Sequence, residues 1–274
     1  MSTPATQKLT GQPTEGTPVL EARDVAVHYG GIKAVDGITM QLHPGMIYGI
    51  IGPNGSGKTT LLGAFTRLVR LTRGELLFDG KDYTRVRPHK LASLGVARTF
   101  QMVRLLPELD VRKNVLLGLD AHDPQDAGQG GGKRDLRARC AAKSAAVADA
   151  LSRAGLEGLG SYFPSEFSYG TQRRVEIARA IAMQPRLLLL DEPMAGMNHK
   201  ERGEISQLLR SMRSPRLSQL LVEHDVQVLN LKHGRAISFP GRPPGRGDRG
   251  RPALVVPRRS TCRSSSHRRS RRCR

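Results

Sequence analysis

Long apolar runs are missing from this chain, and cysteine is scarce. No stretch approaches the roughly 18 consecutive apolar residues that a membrane-crossing helix needs. The strongest run, Leu187, Leu188, Leu189 and Leu190, has the length of a strand. The first 18 residues are polar and rich in small side chains, without the apolar centre of a secretory signal. Residues 1–17 are therefore expected to form a flexible leader to a soluble, cytosolic chain. The three cysteines, Cys140, Cys262 and Cys273, have neither metal-ligand spacing nor an even-numbered disulfide framework, and read as reduced thiols. At 274 residues the chain is long enough for one large domain with a buried core.

Acidic residues are also scarce, but not evenly so. Residues 231–274 hold 14 Lys and Arg against one acid, Asp248, so +13 of the net +20 lies in that segment. From Arg242 onward no aromatic residue is interleaved among the arginines, so a base-stacking platform is unsupported. Apolar periodicity ends at Asn230, and Arg, Pro, Gly and Ser dominate from Arg242 onward. Three readings stay open for residues 231–274: a shifted reading frame in GC-rich DNA, a disordered tail, or a basic arm for nucleic acid or anionic lipid.

What is present is a set of short motifs in one order. Residues 19–29, 35–42 and 75–78 read as strands. Residues 46–51 are apolar and run into Gly52-Pro53-Asn54-Gly55-Ser56-Gly57-Lys58-Thr59, and residues 58–71 have helical character. That octapeptide fits the phosphate-cradling pattern G-x-x-x-x-G-K-[ST] at each fixed position, in its required strand–loop–helix setting. Glycines at 52, 55 and 57 let backbone N–H groups turn inward around phosphate, and the following helix adds its positive end. Lys58 would reach the β- and γ-phosphates, and Thr59 would offer a hydroxyl to Mg²⁺. With Thr60, these residues form the candidate ATP site.

The leucine run ends in Asp191 and Glu192, a strand buried on both faces that delivers two acids to one place. Asp191 is the candidate Mg²⁺ ligand and Glu192 the candidate general base for an attacking water. Residues 104–163 turn helical, with a Gly/Pro/Asp-rich loop at 123–132, and a small helical subdomain is expected at about 104–165. In the helix from Gly170 to Met183, Val175, Ile177 and Ile181 are expected to face inward, with Arg174, Glu176 and Arg179 on another side. Residues 201–212 read as a helix and 219–222 as a short strand.

Phe167-Ser168-Tyr169-Gly170-Thr171-Gln172-Arg173-Arg174 resembles the signature motif of ABC transporter ATPases, with Tyr169 in the form common among importers of branched-chain amino acids. Thr171 departs from the usual Gln. Residues 94–101, 105–109 and 112–117 resemble the Liv-type importers in the same way. The resemblance covers about residues 20–230. It implies an α/β fold: a P-loop NTPase ABC ATPase core with an antiparallel β-subdomain and an inserted helical subdomain, spanning 18–230.

The same resemblance implies roles. Gln101 would touch Mg²⁺ or the water and report nucleotide state to a membrane partner. Tyr29 would stack on adenine, His224 would bond the γ-phosphate, and Asn198 would lie in the D-loop. Ser168 and Gly170 would press on the γ-phosphate held by a second, identical or homologous ATPase subunit. Catalysis would rest on Glu192, His224, Gln101 and Lys58, with ATP and Mg²⁺ as cofactors. Two permease subunits would be driven at the cytoplasmic face of the inner membrane, with a solute-binding protein involved indirectly and no nucleic acid expected. Rival readings are a non-transport ABC ATPase acting on nucleic acid or ribosomes, and a degenerate, inactive subunit. Only 66 residues separate Gln101 from Ser168, too few for the long coiled coil of the DNA-repair members.

Overall fold

The computed structural model describes residues 16–122, 133–223 and 235–238. His224, the loop at 123–132, residues 1–15 of the leader and residues 239–274 of the basic segment lie outside them. Two sheets organise the chain. One is antiparallel, in the order β2 (Ile32–Leu42), β1 (Leu20–Tyr29), β4 (Arg73–Phe78), β5 (Lys81–Asp82). The other runs β6 (Val96–Arg98), β7 (Leu187–Asp191), β8 (Ser218–Glu223), β3 (Ile47–Ile51), β9 (Arg235–Ser238), and all its pairings are parallel.

The leucine run explains the layering. Side chains alternate along a strand, so Leu187 and Leu189 enter the core beneath the antiparallel sheet, while Leu188 and Leu190 enter the core beneath the helices. All four are fully buried, each worth about 1.5–3 kcal/mol relative to exposure. The first core also takes Leu61, Leu62 and Phe65 of α1 (Lys58–Phe65). The second takes Val111 and Val115 of α3 (Val111–His122), Val147 and Leu151 of α4 (Lys133–Arg153), Val175 and Ile177 of α5 (Tyr169–Ala182), and Ile205 of α6 (His199–Ser211). A one-turn helix, α2 (Leu91–Leu94), precedes β6.

Four details differ from the sequence reading. The helix expected to reach residue 71 ends at Phe65. The Thr66 hydroxyl donates back to the Leu62 carbonyl, and Arg67 turns left-handed at φ 57°. The Val69 amide then returns to the Gly63 carbonyl, folding the chain back on the helix. Strand β6, three residues long, carries no periodicity to read. No strand is expected beyond residue 230, yet β9 pairs with β3 from Tyr48↔Arg235 to Ile51↔Ser238 and buries Ile237. Finally, Glu176 is not on an outer face: it is 1% exposed.

Helices α3 and α5 cross closely at Gly118, where a Cβ would stand 2.2 Å from the Arg179 carbonyl oxygen. Gly118→Ala should therefore force the pair apart, costing on the order of 2 kcal/mol and lowering Tm by several degrees in a thermal melt.

Candidate functional site

Because the strands of the second sheet run in one direction, their carboxyl ends share one edge, where open α/β sheets hold ligands. Gly52 follows β3, Glu192 follows β7 and Gln101 lies just past β6. Residue 224 would follow β8.

The P-loop leaves β3 and enters α1 through Gly57, left-handed at φ 96°. Its fit is tight: a Cβ at Gly57 would lie 2.2 Å from the Ala34 carbonyl oxygen on β2. No side chain caps the start of α1, which leaves that end suited to an anion. Pro53, Asn54, Gly55 and Thr59 are exposed, and Thr60 is half-buried. The Ser56 hydroxyl is buried without a hydrogen-bond partner. Lys58 is 5% exposed, and its ammonium donates to the carbonyls of Gly52 (2.7 Å) and Pro53 (2.8 Å). Burial pushes it below the usual lysine range, a shift that the charges of Glu192 and Asp191 oppose. Bound phosphate would offer the ammonium a full counter-charge in place of two carbonyl dipoles.

Asp191 is 2% exposed at the end of β7. One carboxylate oxygen, Oδ2, accepts from Arg98 at 2.9 Å; the other, Oδ1, is buried with no hydrogen-bond partner. Arg98 also donates to the Thr66 hydroxyl at 2.9 Å, and its guanidinium lies 5.1 Å from the centre of the Phe100 ring. An orphaned carboxylate oxygen on the sheet edge that carries the P-loop, one strand away from β3, suits a divalent cation. Among the described residues no cluster of three or more His, Cys, Asp or Glu could hold a metal alone. The arrangement therefore fits Mg²⁺, which takes one or two protein ligands and completes its shell with phosphate and water.

Glu192 is 8% exposed and sits at φ 48°, a conformation that costs a non-glycine residue roughly 1–3 kcal/mol. Its amide donates to the Val222 carbonyl (3.0 Å), and its carbonyl accepts from Ala195 (3.1 Å), so both sides of the strained residue are fixed. Gln101 Nε2 meets Glu192 Oε2 at 3.0 Å, so these two candidates are in direct contact. Glu223, at the end of β8, accepts from the Met194 amide at 3.2 Å and steadies the turn beyond Glu192.

The remaining candidates are placed by other elements. Ser168 is the N-cap of α5, accepting from the Thr171 amide at 3.4 Å. Gly170 packs against α6, where a Cβ would lie 2.9 Å from Glu201 Oε1. Asn198 caps α6 in a reciprocal pair with Glu201. Tyr29 is 51% exposed, at the tip of the β1–β2 hairpin whose Ala34 adjoins Gly57.

A family model described as ABC transporter matches residues 35–195. The chain belongs to the ABC transporter family, as an ATP-hydrolysing cassette. It is 34% identical over 214 residues to the high-affinity branched-chain amino acid transport ATP-binding protein BraF of Pseudomonas aeruginosa, across 77% of this chain and 84% of that one. It is 36% identical over 216 residues to LivG of Escherichia coli, which carries the same description, with the same coverage. Among solved structures, an ATP-binding cassette of an ABC transporter in its ADP conformation matches with TM-score 0.69 and 26% identity, over 81% of this chain and 87% of that one. A dimeric bacterial cassette matches with TM-score 0.67 and 27% identity, over 81% and 94%. The α/β core with its antiparallel sheet and helical insertion is thus that of an ABC ATPase, and the cassette binds ATP.

Sequence reasoning missed Arg98 as a partner of Asp191. It stands in the quoted Gln101 segment, but nothing local marks it, because its carboxylate is 93 residues away. The pair is 9% and 3% exposed. Arg98→Met should leave the Asp191 carboxylate buried without compensation, a loss of about 3–5 kcal/mol. Urea unfolding without nucleotide should show a lower midpoint at an unchanged slope.

Proposed function

We propose that this cassette powers uptake of branched-chain amino acids, or a related small polar solute, through separate permease subunits. Two cassettes, identical or homologous, would pair head to tail. Each ATP would lie between one chain's Gly52–Thr59 loop and the other's Ser168 and Gly170. The observation that carries the reading is the contact of Gln101 with a strained, buried Glu192 on the same sheet edge as the P-loop, with Asp191 Oδ1 left without a partner next to it. The names of the two transport relatives support the solute class. The dimeric cassette supports pairing.

The residues divide the chemistry among them. Lys58 leaves its loop carbonyls for the β- and γ-phosphates. Thr59 and Asp191 would hold Mg²⁺, with Gln101 in reach of it or of the water. When bound, that ion neutralises charge on the phosphate oxygens. Glu192 accepts a proton from the attacking water, and Gln101 holds the carboxylate that does so. His224 would stabilise charge on the γ-phosphate, and Tyr29 would cover the adenine. Pro53, Asn54, Gly55, Ser56, Gly57 and Thr60 complete the cradle.

Among the described residues no helix is long and apolar enough to cross a membrane. The names of the transport relatives support separate membrane subunits, with the cassette at their cytoplasmic face. A partner face lies beside Gln101. Met102 is 75% exposed, Leu106 45% and Tyr162 46%. Leu106 is tied to Asn114 of α3, and the Tyr162 carbonyl to the first amide of α3. An apolar seam at that place suits a permease segment.

Blocking proton transfer while keeping the contacts tests this directly. Glu192→Gln should bind MgATP and move from monomer to dimer on a sizing column; a Lys58→Met control should not move. A variant that binds ATP yet stays monomeric would sink the head-to-tail pairing. Excess EDTA should abolish hydrolysis by the unmodified chain while fluorescent ATP analogues still bind. Vesicles carrying the permease pair should take up leucine only with the active cassette present.

A further inference from the structure

The most deeply buried cation among the described residues has no place in the chemistry above. Arg173, in the second turn of α5, is 0% exposed. A leucine or methionine would fill such a position at far lower desolvation cost. Its contacts explain what an arginine adds. Nη1 donates to the Phe100 carbonyl at 2.6 Å, and Nη2 to the Gln101 carbonyl at 2.5 Å. These carbonyls belong to a loop, so no sheet or helix satisfies them, and two donors in a fixed fork meet both. Nη1 also reaches Glu176 Oε2 at 2.5 Å, and Nη2 reaches the Tyr169 hydroxyl at 3.1 Å.

Glu176 completes the strut. It is 1% exposed, its Oε2 accepts from Arg173, and its Oε1 lies 3.9 Å from Arg179. The Arg173–Glu176 pair therefore holds the Phe100 backbone by its carbonyl, with Glu176 fixing the guanidinium that does so. Tyr169 adds a longer contact, 3.4 Å from its hydroxyl to the Gln101 carbonyl. At one end of this cluster is the helix that Ser168 caps. At the other is Gln101, whose side chain holds Glu192.

We propose that Arg173 is a positioning residue that sets Gln101, and through it Glu192, according to the position of the signature helix. The proposal rests on the head-to-tail reading. When a partner's γ-phosphate engages Ser168 and Gly170, any shift of α5 moves the Gln101 backbone with it. The glutamate of one site is thereby aligned by occupancy of the other.

The test uses the full-length chain and two variants. Arg173→Met with Glu176→Met removes both charges at similar volume, which protects folding. Arg173→Lys keeps the charge but cannot bridge two carbonyls in one plane. The double variant should keep KM for ATP within twofold while kcat falls tenfold or more, and Arg173→Lys should fall between it and the unmodified chain. Hydrogen exchange adds a readout that simple packing would not move. In a Glu192→Gln background, MgATP should protect amides at both 168–172 and 100–104. With Arg173 and Glu176 replaced, protection at 168–172 should remain and that at 100–104 should vanish.

A kcat within twofold of the unmodified chain, or retained protection at 100–104, overturns the proposal. If the double variant gives no cooperative melt, Arg173→Lys decides on the same two readouts. An unmodified chain that neither hydrolyses ATP nor changes its exchange with MgATP overturns the functional reading and this proposal together. A working unmodified chain with unaffected variants overturns the proposal alone.

Discussion

Parallel alignment of β6, β7, β8 and β3 is the constraint on which the rest depends. Strands that run together end together, and here their ends carry Gln101, Asp191 with Glu192, Glu223 and Gly52. Such a sheet must be covered on both faces, because its crossovers place other elements there. The leucine run satisfies both covers at once. The site is therefore a consequence of the core. Any change that altered the register of β7 would move Asp191 and Glu192 away from the P-loop together.

The electrostatics follow from the same convergence. The charged residues that are buried among those described are Lys58, Arg173, Glu176, Asp191, Glu192 and Glu223. Asp191, Glu192 and Glu223 stand at strand ends, Lys58 at the start of α1 with its ammonium on the P-loop carbonyls, and Arg173 with Glu176 against the Gln101 loop. Buried charge is expensive unless paired, so its confinement to one edge marks where the chain spends stability on function. Arg98, nearly buried, counters Asp191 through Oδ2 and leaves the buried Oδ1 without a partner. Even so, carboxylates outnumber cations there. An added cation improves that balance, and a bound phosphate adds the charge that lets Lys58 leave its carbonyls.

Much of this was legible in the residues. The phosphate loop is local: glycines and one lysine stand at fixed spacing, and β3 and α1 supply the strand and helix that the motif requires. The leucine strand with two acids is equally local. What could not be read depends on contacts distant in sequence or on backbone angles. Nothing in Arg67 announces a left-handed turn, and nothing in Arg235-Ala236-Ile237-Ser238 announces a strand, because β3 supplies its pairing. Glu176 looks like an outer-face residue, since glutamates seldom go inside without a partner. Its partner Arg173 is bonded in turn to a carbonyl 73 positions earlier, which only the fold brings near. The role of Arg98 was hidden for the same reason.

The signature segment shows how packing and chemistry come to share residues. Gly170 is expected at a phosphate, yet in the folded cassette its missing Cβ is what lets α5 meet Glu201 at the start of α6. Glu201 in turn caps Asn198 at the end of the loop that begins at Glu192. Thr171, in place of a longer glutamine, holds its hydroxyl 3.4 Å from that of Ser168 and gives Ser168 its capping amide. The two hydroxyls thus stand together at a helix N-terminus, a place that favours an anion. The substitution shortens the reach of the motif but keeps its polarity. The Ser168 cap and, further along, Arg173 both hold the start of that helix.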